Sequence, residues 1–239
     1  MQLKITLSGN KIQLPLAASS IVQGFIYSAL TDNLSFSHQL HEEGYIFEQR
    51  KFKLFSFSEL RGKYDVIGKQ MIFQDKAFLE IRSVNPYMIQ LLYTYFLNNK
   101  SVSLGGNTVN VTGLTINNKT VFSNGVRIKT LSPITVYTTS DNGHTTYYSP
   151  RNEDFYEAVI SNATRKWRSI SGEISDFDFT ISPIENPWYV KRVTSFKDTL
   201  ITAWHGEFYL KGSAQILDFL YNTGLGSKNS QGFGMFEIV

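Results

Sequence analysis

LITAWHGEFYLKGSAQILDFLYNTGLGSKNSQGFGMFEIV, residues 200–239, decides the fold of the second half of the chain, because a strand, a helix and another strand follow one another in it. On the first strand, Leu200, Thr202, Trp204, Phe208 and Leu210 share one face, and His205, Glu207, Tyr209 and Lys211 share the other. A helical pattern follows over residues 213–221, and residues 233–239 are strand-like again. The segment therefore predicts the last three elements of a mixed α and β domain.

The residues before this segment supply the first four elements of the same domain. Val126 to Thr138 is strand-like, and residues 153–170 predict a long helix that begins after Asn152 as its cap. Two further strands are predicted near residues 177–181 and 188–193. The second half of the chain therefore follows the order β-α-β-β-α-β of the ferredoxin-like arrangement, with one additional strand before its second helix.

The first half of the chain repeats this order. Strands are predicted at residues 2–7, 53–57, 77–81, 101–104 and 108–116, and helices at residues 17–30, 34–42 and 86–97, the last beginning after Asn85. The sequence thus predicts an α+β protein made of two tandem ferredoxin-like domains. We expect the domains to cover residues 1–120 and 121–239, with the join near residues 117–123.

Composition narrows the class of protein. The 239 residues are 42% hydrophobic, which is typical of a folded domain, and no apolar run approaches the roughly 20 residues of a membrane helix. The amino terminus alternates like a strand and lacks the order of a signal peptide, so we expect a cytoplasmic protein without a membrane partner. The absence of cysteine excludes disulfides and zinc–thiolate sites. The net charge of +3 is only a weak indication of a polyanionic partner.

The most specific motif is a loop with two pairs of glycines, Gly224 with Gly226 and Gly232 with Gly234. Such spacing suits a backbone that adopts positive φ and approaches a ligand closely. The loop follows a helix and opens a strand, whereas a dinucleotide-binding glycine motif follows a strand and opens a helix. It also lacks the Gly-Lys-Ser/Thr of a Walker A loop. A glycine-rich turn that only shapes the end of the chain remains the alternative.

The loop resembles the carboxyl-terminal signature of the CRISPR-associated RNA-processing (RAMP) superfamily. Within that superfamily the sequence is similar to the sixth Cas family, the endoribonucleases that cut precursor CRISPR RNA inside each repeat. Five further segments carry the resemblance in order along the chain: Gln23-Gly24-Phe25-Ile26-Tyr27, Leu40-His41-Glu42, Lys53-Leu54-Phe55-Ser56-Phe57-Ser58, Leu131-Ser132-Pro133-Ile134 and Thr202-Ala203-Trp204-His205. The resemblance therefore covers nearly the whole chain and implies two ferredoxin-like domains.

The resemblance also implies three catalytic residues. The histidine that follows the family's first helix matches His41, and the other two roles match Tyr27 and Lys53. Histidine can transfer protons near neutral pH, and a lysine can stabilise the charge that develops on a phosphate. A shift of the match by a few positions would move the cationic role from Lys53 to Arg50 or Lys51. We therefore predict cleavage by the ribose 2′-hydroxyl, with a 5′-hydroxyl on one product and a 2′,3′-cyclic phosphate or 3′-phosphate on the other.

This reaction needs no cofactor or metal ion. His38 and His41 are three residues apart, a spacing that two metal ligands on one helix can have. The adjacent Glu42 and Glu43 do not complete a recognised ligand spacing, and the HExxH order is absent. Metal catalysis is therefore the disfavoured alternative.

CRISPR repeat RNA is the partner that the resemblance implies, and a second copy of the chain or an interference complex could join it. We predict RNA contacts from the loop and from basic residues whose cations neutralise phosphates. The predicted contact residues are Gly224, Gly226, Lys228, Asn229, Ser230, Gln231, Gly232 and Gly234 in the loop, and Arg165, Lys166, Arg168, Lys191 and Arg192 elsewhere. A non-cutting RNA-binding subunit of an interference complex is the main alternative, and a scaffold that binds no nucleic acid is a weaker one.

Overall fold

The computed structural model describes residues 1–31, 44–118, 124–172, 177–197 and 199–239. Within these ranges the chain forms two ferredoxin-like domains in tandem, as the sequence predicted. In the residues that the structure describes, each domain has one main antiparallel sheet and two helices. The predicted join near residues 117–123 falls mostly outside the described residues, so the exact boundary stays a prediction.

The first domain is built on a five-stranded sheet of order β5-β8-β1-β10-β9. Its helices α1 and α2 cover one face of that sheet, and the core between them is aliphatic and aromatic. Its elements are β1 Gln2–Ser8, β2 Ile12–Pro15, α1 Ser19–Ser28, β3 Tyr45–Phe47, β4 Arg50–Phe52, β5 Phe55–Phe57, β6 Tyr64–Ile67, β7 Gln70–Phe73, β8 Lys76–Ser83, α2 Pro86–Asn98, β9 Ser101–Leu104 and β10 Asn107–Asn117.

The second domain has a sheet of order β14-β16-β11-β17, with β15 pairing along the far end of the long strand β16. Helices α3 and α4 pack on this sheet around a second core. Its elements are β11 Gly125–Thr130, β12 Tyr137–Thr139, β13 Thr145–Tyr147, α3 Glu153–Ser171, β14 Phe179–Pro183, β15 Tyr189–Phe196, β16 Thr199–Gly212, α4 Ala214–Thr223, a 3₁₀ turn Asn229–Gln231 and β17 Phe236–Ile238.

Three predicted strands differ from the observed ones. Residues 53–57 do not form one strand, because Leu54 has a φ of +45° and the chain turns there before β5 begins. The predicted strand from Val126 to Thr138 is broken after Thr130, since residues 131–136 leave the ladder and only Ile134 makes an isolated bridge. The final strand is shorter than residues 233–239, because Gly234 donates its N–H to a carbonyl outside the sheet.

Two small sheets had no sequence prediction. Strands β2, β7 and β6 form a three-stranded sheet, and β3 pairs with β4 in a hairpin. The hairpin turns at Glu48 and Gln49, which both have positive φ without being glycine. Such a turn leaves no glycine or proline in the sequence by which it could be recognised. The predicted short helix at residues 34–42 lies outside the described residues.

The two domains share buried polar contacts. Arg82 on β8 donates hydrogen bonds to the carbonyl oxygens of Tyr221 at 3.3 Å and Phe236 at 2.6 Å, both in the second domain. Its guanidinium lies 3.6 Å from the centre of the Tyr221 ring and also pairs with the buried Glu80. The amino-terminal ammonium donates to the side chain of Asn222 at 2.7 Å. These contacts fix the first sheet against α4 and β17.

In the part of the chain that the structure describes, no helix has both the length and the apolar character needed to cross a membrane.

Candidate nucleic-acid interface

A cleft of about 600 Å³ lies between the two domains. One wall comes from the end of the β3–β4 hairpin and the start of β5, and the other from β12, α3 and the glycine loop. The described residues that line it are Arg50, Lys51, Phe52, Lys53, Leu54, Phe55, Tyr137, Thr138, Thr139, Asn162, Lys166, Gly226, Ser227, Lys228, Asn229, Ser230 and Gln231. Residues far apart in the sequence therefore meet in one cavity.

The charged residues in the described lining of this cleft are all basic. Its described lining includes the five cationic residues Arg50, Lys51, Lys53, Lys166 and Lys228, and none of those lining residues carries a carboxylate. Low-dielectric walls concentrate the field of such a cluster. The cleft is therefore suited to a polyanion.

Lys53 and Tyr27, two of the predicted catalytic residues, are in contact at this cleft. The Lys53 ammonium donates a hydrogen bond to the Tyr27 hydroxyl at 3.2 Å and lies 5.3 Å from the centre of the Tyr27 ring. Tyr27 projects from the last turn of α1, where its ring packs edge-on against Phe55. Burial raises the pKa of Tyr27 above its ordinary value, so the hydroxyl stays protonated at neutral pH.

The β3–β4 hairpin carries Arg50, Lys51 and Lys53 to the cleft by packing on the second domain. Tyr45 and Phe52 contact the core beneath α3, and Glu48 in the turn pairs with Arg165 on that helix at 3.0 Å. Arg50 and Lys51 are exposed, whereas Lys53 is half-buried beside Tyr27. Within the described residues, the Lys53 ammonium therefore contacts a second predicted catalytic residue, Tyr27.

The glycines of the loop are required by its internal packing. Gly224, Gly226, Gly232 and Gly234 all have φ between +67° and +90° and are buried. A Cβ on Gly232 would lie 2.6 Å from the ring of Phe57 in the first domain, and a Cβ on Gly226 would lie 2.7 Å from a backbone carbonyl. The close approach that these glycines allow is thus to the protein itself.

Four residues of the loop present their half-buried side chains at the cleft: Ser227, Lys228, Ser230 and Gln231. Lys228 has positive φ, and its ammonium lies 5.3 Å from the centre of the Tyr137 ring. The Ser230 carbonyl accepts a hydrogen bond from the side chain of Gln23 on α1 at 2.7 Å. The predicted RNA contacts of the loop remain a prediction, and the geometry favours these four side chains for them.

Lys166 is not the surface cation that the sequence prediction assumed. Its side chain is buried, and the ammonium donates to the carbonyl oxygen of Gly224 and, at 3.0 Å, to the side-chain oxygen of Asn229. Burial lowers the pKa of Lys166 to about 7. The helix period explains the error, because Lys166 lies one turn after the buried Asn162 and one residue before the buried Trp167.

Asn229 has its side chain committed to the interior of the loop. Its amide donates hydrogen bonds to the carbonyl oxygens of Leu225 at 2.9 Å and Phe233 at 3.0 Å, and its oxygen accepts from Lys166. Together, Lys166 and Asn229 hold both ends of the glycine loop. We call these two residues the loop brace. Their hydrogen bonds tie the loop to α3 and connect its two ends.

The other predicted site residues lie away from this cleft. Arg165 pairs with Glu48, and Arg168 is half-buried on the same helix. Lys191 and Arg192 are exposed on β15, and Arg192 borders a small separate pocket beside Glu59 and Tyr64. The structure therefore does not bring these four cations to the cleft lining.

The predicted catalytic residue His41 and the nearby His38 lie outside the described residues.

Several lining residues were not identified from the sequence. Tyr137, Thr138 and Thr139 lie in a short hairpin, whereas the sequence predicts a single long strand that ends at Thr138. Asn162 was missed although it lies four residues before Lys166 and so shares a helix face with it. A polar residue on the buried face of an amphipathic helix was the available signal.

A family profile described as "CRISPR associated protein Cas6, C-terminal" matches residues 116–238, just over half of the chain. The chain belongs to the Cas6 family. It is 29% identical over 226 residues to "CRISPR-associated endoribonuclease Cas6 1" of Methanocaldococcus jannaschii, which covers 92% of this chain and 84% of that protein. It is 27% identical to "CRISPR-associated endoribonuclease Cas6" of Pyrococcus furiosus, over 91% of this chain and 80% of that protein.

A solved structure described as "CRISPR associated protein Cas6" has the same fold. Its TM-score against this chain is 0.79 at 26% identity, and the match covers 100% of this chain and 99% of the other. The likeness therefore extends through both ferredoxin-like domains.

Proposed function

We propose that this Cas6-family chain binds CRISPR repeat RNA and cuts it within the repeat without using a metal ion. The observation that carries the proposal is the contact between Lys53 and Tyr27 at the edge of a cationic cleft whose described lining has no carboxylate. Such a cleft suits the phosphates of an RNA strand and supplies no carboxylate cluster for a divalent cation. The endoribonuclease names of the two relatives support the same conclusion.

The reaction that fits these groups is transesterification within the RNA. The ribose 2′-oxygen attacks the adjacent phosphorus, a new O–P bond forms, and the bond from phosphorus to the 5′-oxygen breaks. A base takes the proton of the 2′-hydroxyl, and an acid gives a proton to the departing 5′-oxygen. The products are a 2′,3′-cyclic phosphate, which water can open to a 3′-phosphate, and a 5′-hydroxyl.

Each predicted catalytic residue has a separate task. Lys53 stabilises the negative charge that accumulates on the phosphoryl oxygens, which is most effective where water is excluded. Tyr27 stays protonated because burial raises its pKa, so it orients the Lys53 ammonium and does not act as the base. The proton transfers are assigned to His41 by the family resemblance, since histidine titrates near neutral pH.

The test is cleavage of labelled repeat RNA by the purified chain in excess EDTA. We expect one discrete cut with a 5′-hydroxyl on the downstream product. Replacing the 2′-hydroxyl at the cut site with hydrogen should abolish cutting and leave binding nearly unchanged, because that hydroxyl is the nucleophile. Activity that EDTA removes and magnesium restores would contradict the metal-free reaction. Tight binding without any cut would favour a non-cutting repeat-binding subunit.

The cytoplasm is the compartment in which this reaction would occur. A second copy of the chain and an interference complex are the further partners that the resemblance implies. Light scattering of the purified chain, with and without repeat RNA, measures its mass and so tests the first of these.

A further inference from the structure

Two amide oxygens at the cleft have no hydrogen-bond partner among the described residues. They are Oδ1 of Asn162 and Oε1 of Gln231, and both atoms are buried. Asn162 is 8% exposed on α3, and Gln231 ends the 3₁₀ turn of the glycine loop. Buried polar groups in folded proteins are nearly always paired, so each such atom requires an explanation.

The chemistry of these oxygens limits what they can bind. An amide oxygen is only an acceptor, and so is the phosphate oxygen of an RNA backbone. The two oxygens therefore cannot form hydrogen bonds to phosphate oxygens. The cations of the same cleft can bind the phosphates instead. They need a hydrogen-bond donor, and an RNA strand offers two kinds, the amino and imino groups of its bases and its 2′-hydroxyls.

The surroundings of the two amides suit a nucleotide. Phe52 and Tyr137 are half-buried aromatic residues of the same lining, and aromatic rings stack on unpaired bases. Among the described residues, the Asn162 side chain makes one long hydrogen bond, from its nitrogen to the Ser227 hydroxyl at 3.4 Å. Since the terminal torsion of an amide side chain is soft, a small rotation would turn either oxygen toward a ligand.

We propose that Asn162 and Gln231 read one or two nucleotides of the repeat by accepting hydrogen bonds from their donor groups, and that the amino group of a base is the main donor. This inference rests on the proposed function, because it assumes that RNA occupies the cleft. It separates two tasks within one cavity. The cations supply affinity that is independent of sequence, and the two amides supply discrimination between nucleotides.

The experiment measures binding of the full-length chain to uncleavable repeat RNA, which carries a 2′-deoxy nucleotide at the cut site. Affinity is measured at several salt concentrations for the wild-type chain and for Asn162→Leu, Gln231→Met and Lys228→Met. Gln90→Met is the matched control, because Gln90 is exposed on α2 and does not line the cleft. Thermal melting verifies that every variant is folded.

We expect Asn162→Leu and Gln231→Met each to weaken repeat binding about three- to tenfold, as for a lost hydrogen bond, without changing the salt dependence. Lys228→Met should weaken binding to all RNAs and reduce the salt slope by about one. Gln90→Met should bind like the wild type.

The source of the donor is found by removing donors from the RNA one position at a time. Inosine in place of guanosine removes a base amino group, purine riboside in place of adenosine removes another, and 2′-deoxy nucleotides remove the ribose donor. At the position that is read, the wild type should lose three- to tenfold in affinity, and Asn162→Leu or Gln231→Met should show no further loss. A penalty at a base amino group identifies the base as the source, and a penalty at a 2′-deoxy position identifies the ribose.

The inference is overturned if both variants bind repeat and scrambled RNA with wild-type affinities, or if no single donor removed from the RNA abolishes the difference in affinity between the variants and the wild type. Its failure differs from failure of the proposed function. If the inference alone fails, the wild type still binds and cuts the repeat. If the proposed function fails, the wild type does not cut the repeat or does not bind it.

Discussion

Two lysines in the same cleft have opposite environments. Lys53 is half-buried, and its ammonium bonds to the hydroxyl of Tyr27 on the first domain. Lys166 is fully buried, and its ammonium bonds to the glycine loop of the second domain through Gly224 and Asn229. The comparison shows that a lysine that lines a cationic cleft can either be available to a ligand, as Lys53 is, or bind the surrounding protein, as Lys166 does. Burial and bonding partners, and not charge, distinguish the two tasks.

The largest expected effect is on the rate of cleavage, and it comes from His41 and not from either lysine. His41→Ala should slow single-turnover cleavage by about 10²–10⁴-fold with little change in repeat affinity, because the imidazole acts on moving protons and does not anchor phosphates. His38→Ala is the control and should cut nearly like the wild type. If His38→Ala is the inactive variant, the family match has been placed on the wrong histidine. If both variants cut normally, the histidine mechanism does not apply to this chain.

The second prediction concerns the loop brace. Lys166→Met keeps the length of the side chain and leaves the Gly224 carbonyl and the Asn229 oxygen without their donor. An unpaired buried acceptor costs about 1–3 kcal/mol, so at pH 10, where little of the cost of burying the Lys166 charge remains, the free energy of unfolding should fall by that order. Urea denaturation measures it. Lys53→Met is the matched control and should change stability much less, because Lys53 is only half-buried. Equal losses in the two variants would remove the distinction between the lysines.

The third prediction concerns the effects of Lys53 and Tyr27 on the rate of cleavage. Lys53→Met should slow cleavage about tenfold or somewhat more, since charge stabilisation can be partly replaced by Arg50 or Lys51. Tyr27→Phe removes the hydroxyl that accepts from Lys53 and should have a similar or smaller effect on the rate. Single-turnover kinetics at saturating enzyme isolates the chemical step. If Arg50→Met or Lys51→Met slows cutting more than Lys53→Met does, the cationic role belongs to that neighbour.

The last prediction concerns the pH dependence of stability. Burial lowers the pKa of Lys166 to about 7, whereas an unfolded lysine has a pKa near 10.4. Between these values the unfolded chain binds more protons than the folded chain, so stability should rise with pH from about 7 to about 10. One proton contributes at most about 1.4 kcal/mol per pH unit. Lys166→Met should have a shallower rise in this range, which urea denaturation at several pH values measures.

Local signals in the sequence predicted much of the fold. Helix α2 begins after Asn85, as its capping residue and Pro86 indicated, and the Asn85 side chain accepts a hydrogen bond from the N–H of Tyr87. The alternation along β1 and β16 placed those strands to within two residues at each end. The hairpin of β3 and β4 was missed, because it turns at residues with positive φ that are not glycine.

The candidate site was predictable only in part. The resemblance identified Tyr27 and Lys53, which the fold brings into contact. The helix period indicates that Lys166 is buried, since it lies one turn after Asn162, but its basic neighbours Arg165 and Arg168 are partly exposed and made it resemble a surface cation. The cleft is assembled from the β3–β4 hairpin, β12, α3 and the glycine loop, and this meeting depends on tertiary packing that the sequence does not display.

The position of the Arg82 guanidinium in the domain interface affects how the chain unfolds. It is 1% exposed, belongs to the first domain, and finds its backbone partners Tyr221 and Phe236 in the second. If one domain melted alone, this charge would lose those partners while Glu80 stayed beside it, and losing the partners of a buried charge is costly. The two domains should therefore melt in a single calorimetric transition, and a chain cleaved once in the connection between them should elute as one non-covalent particle.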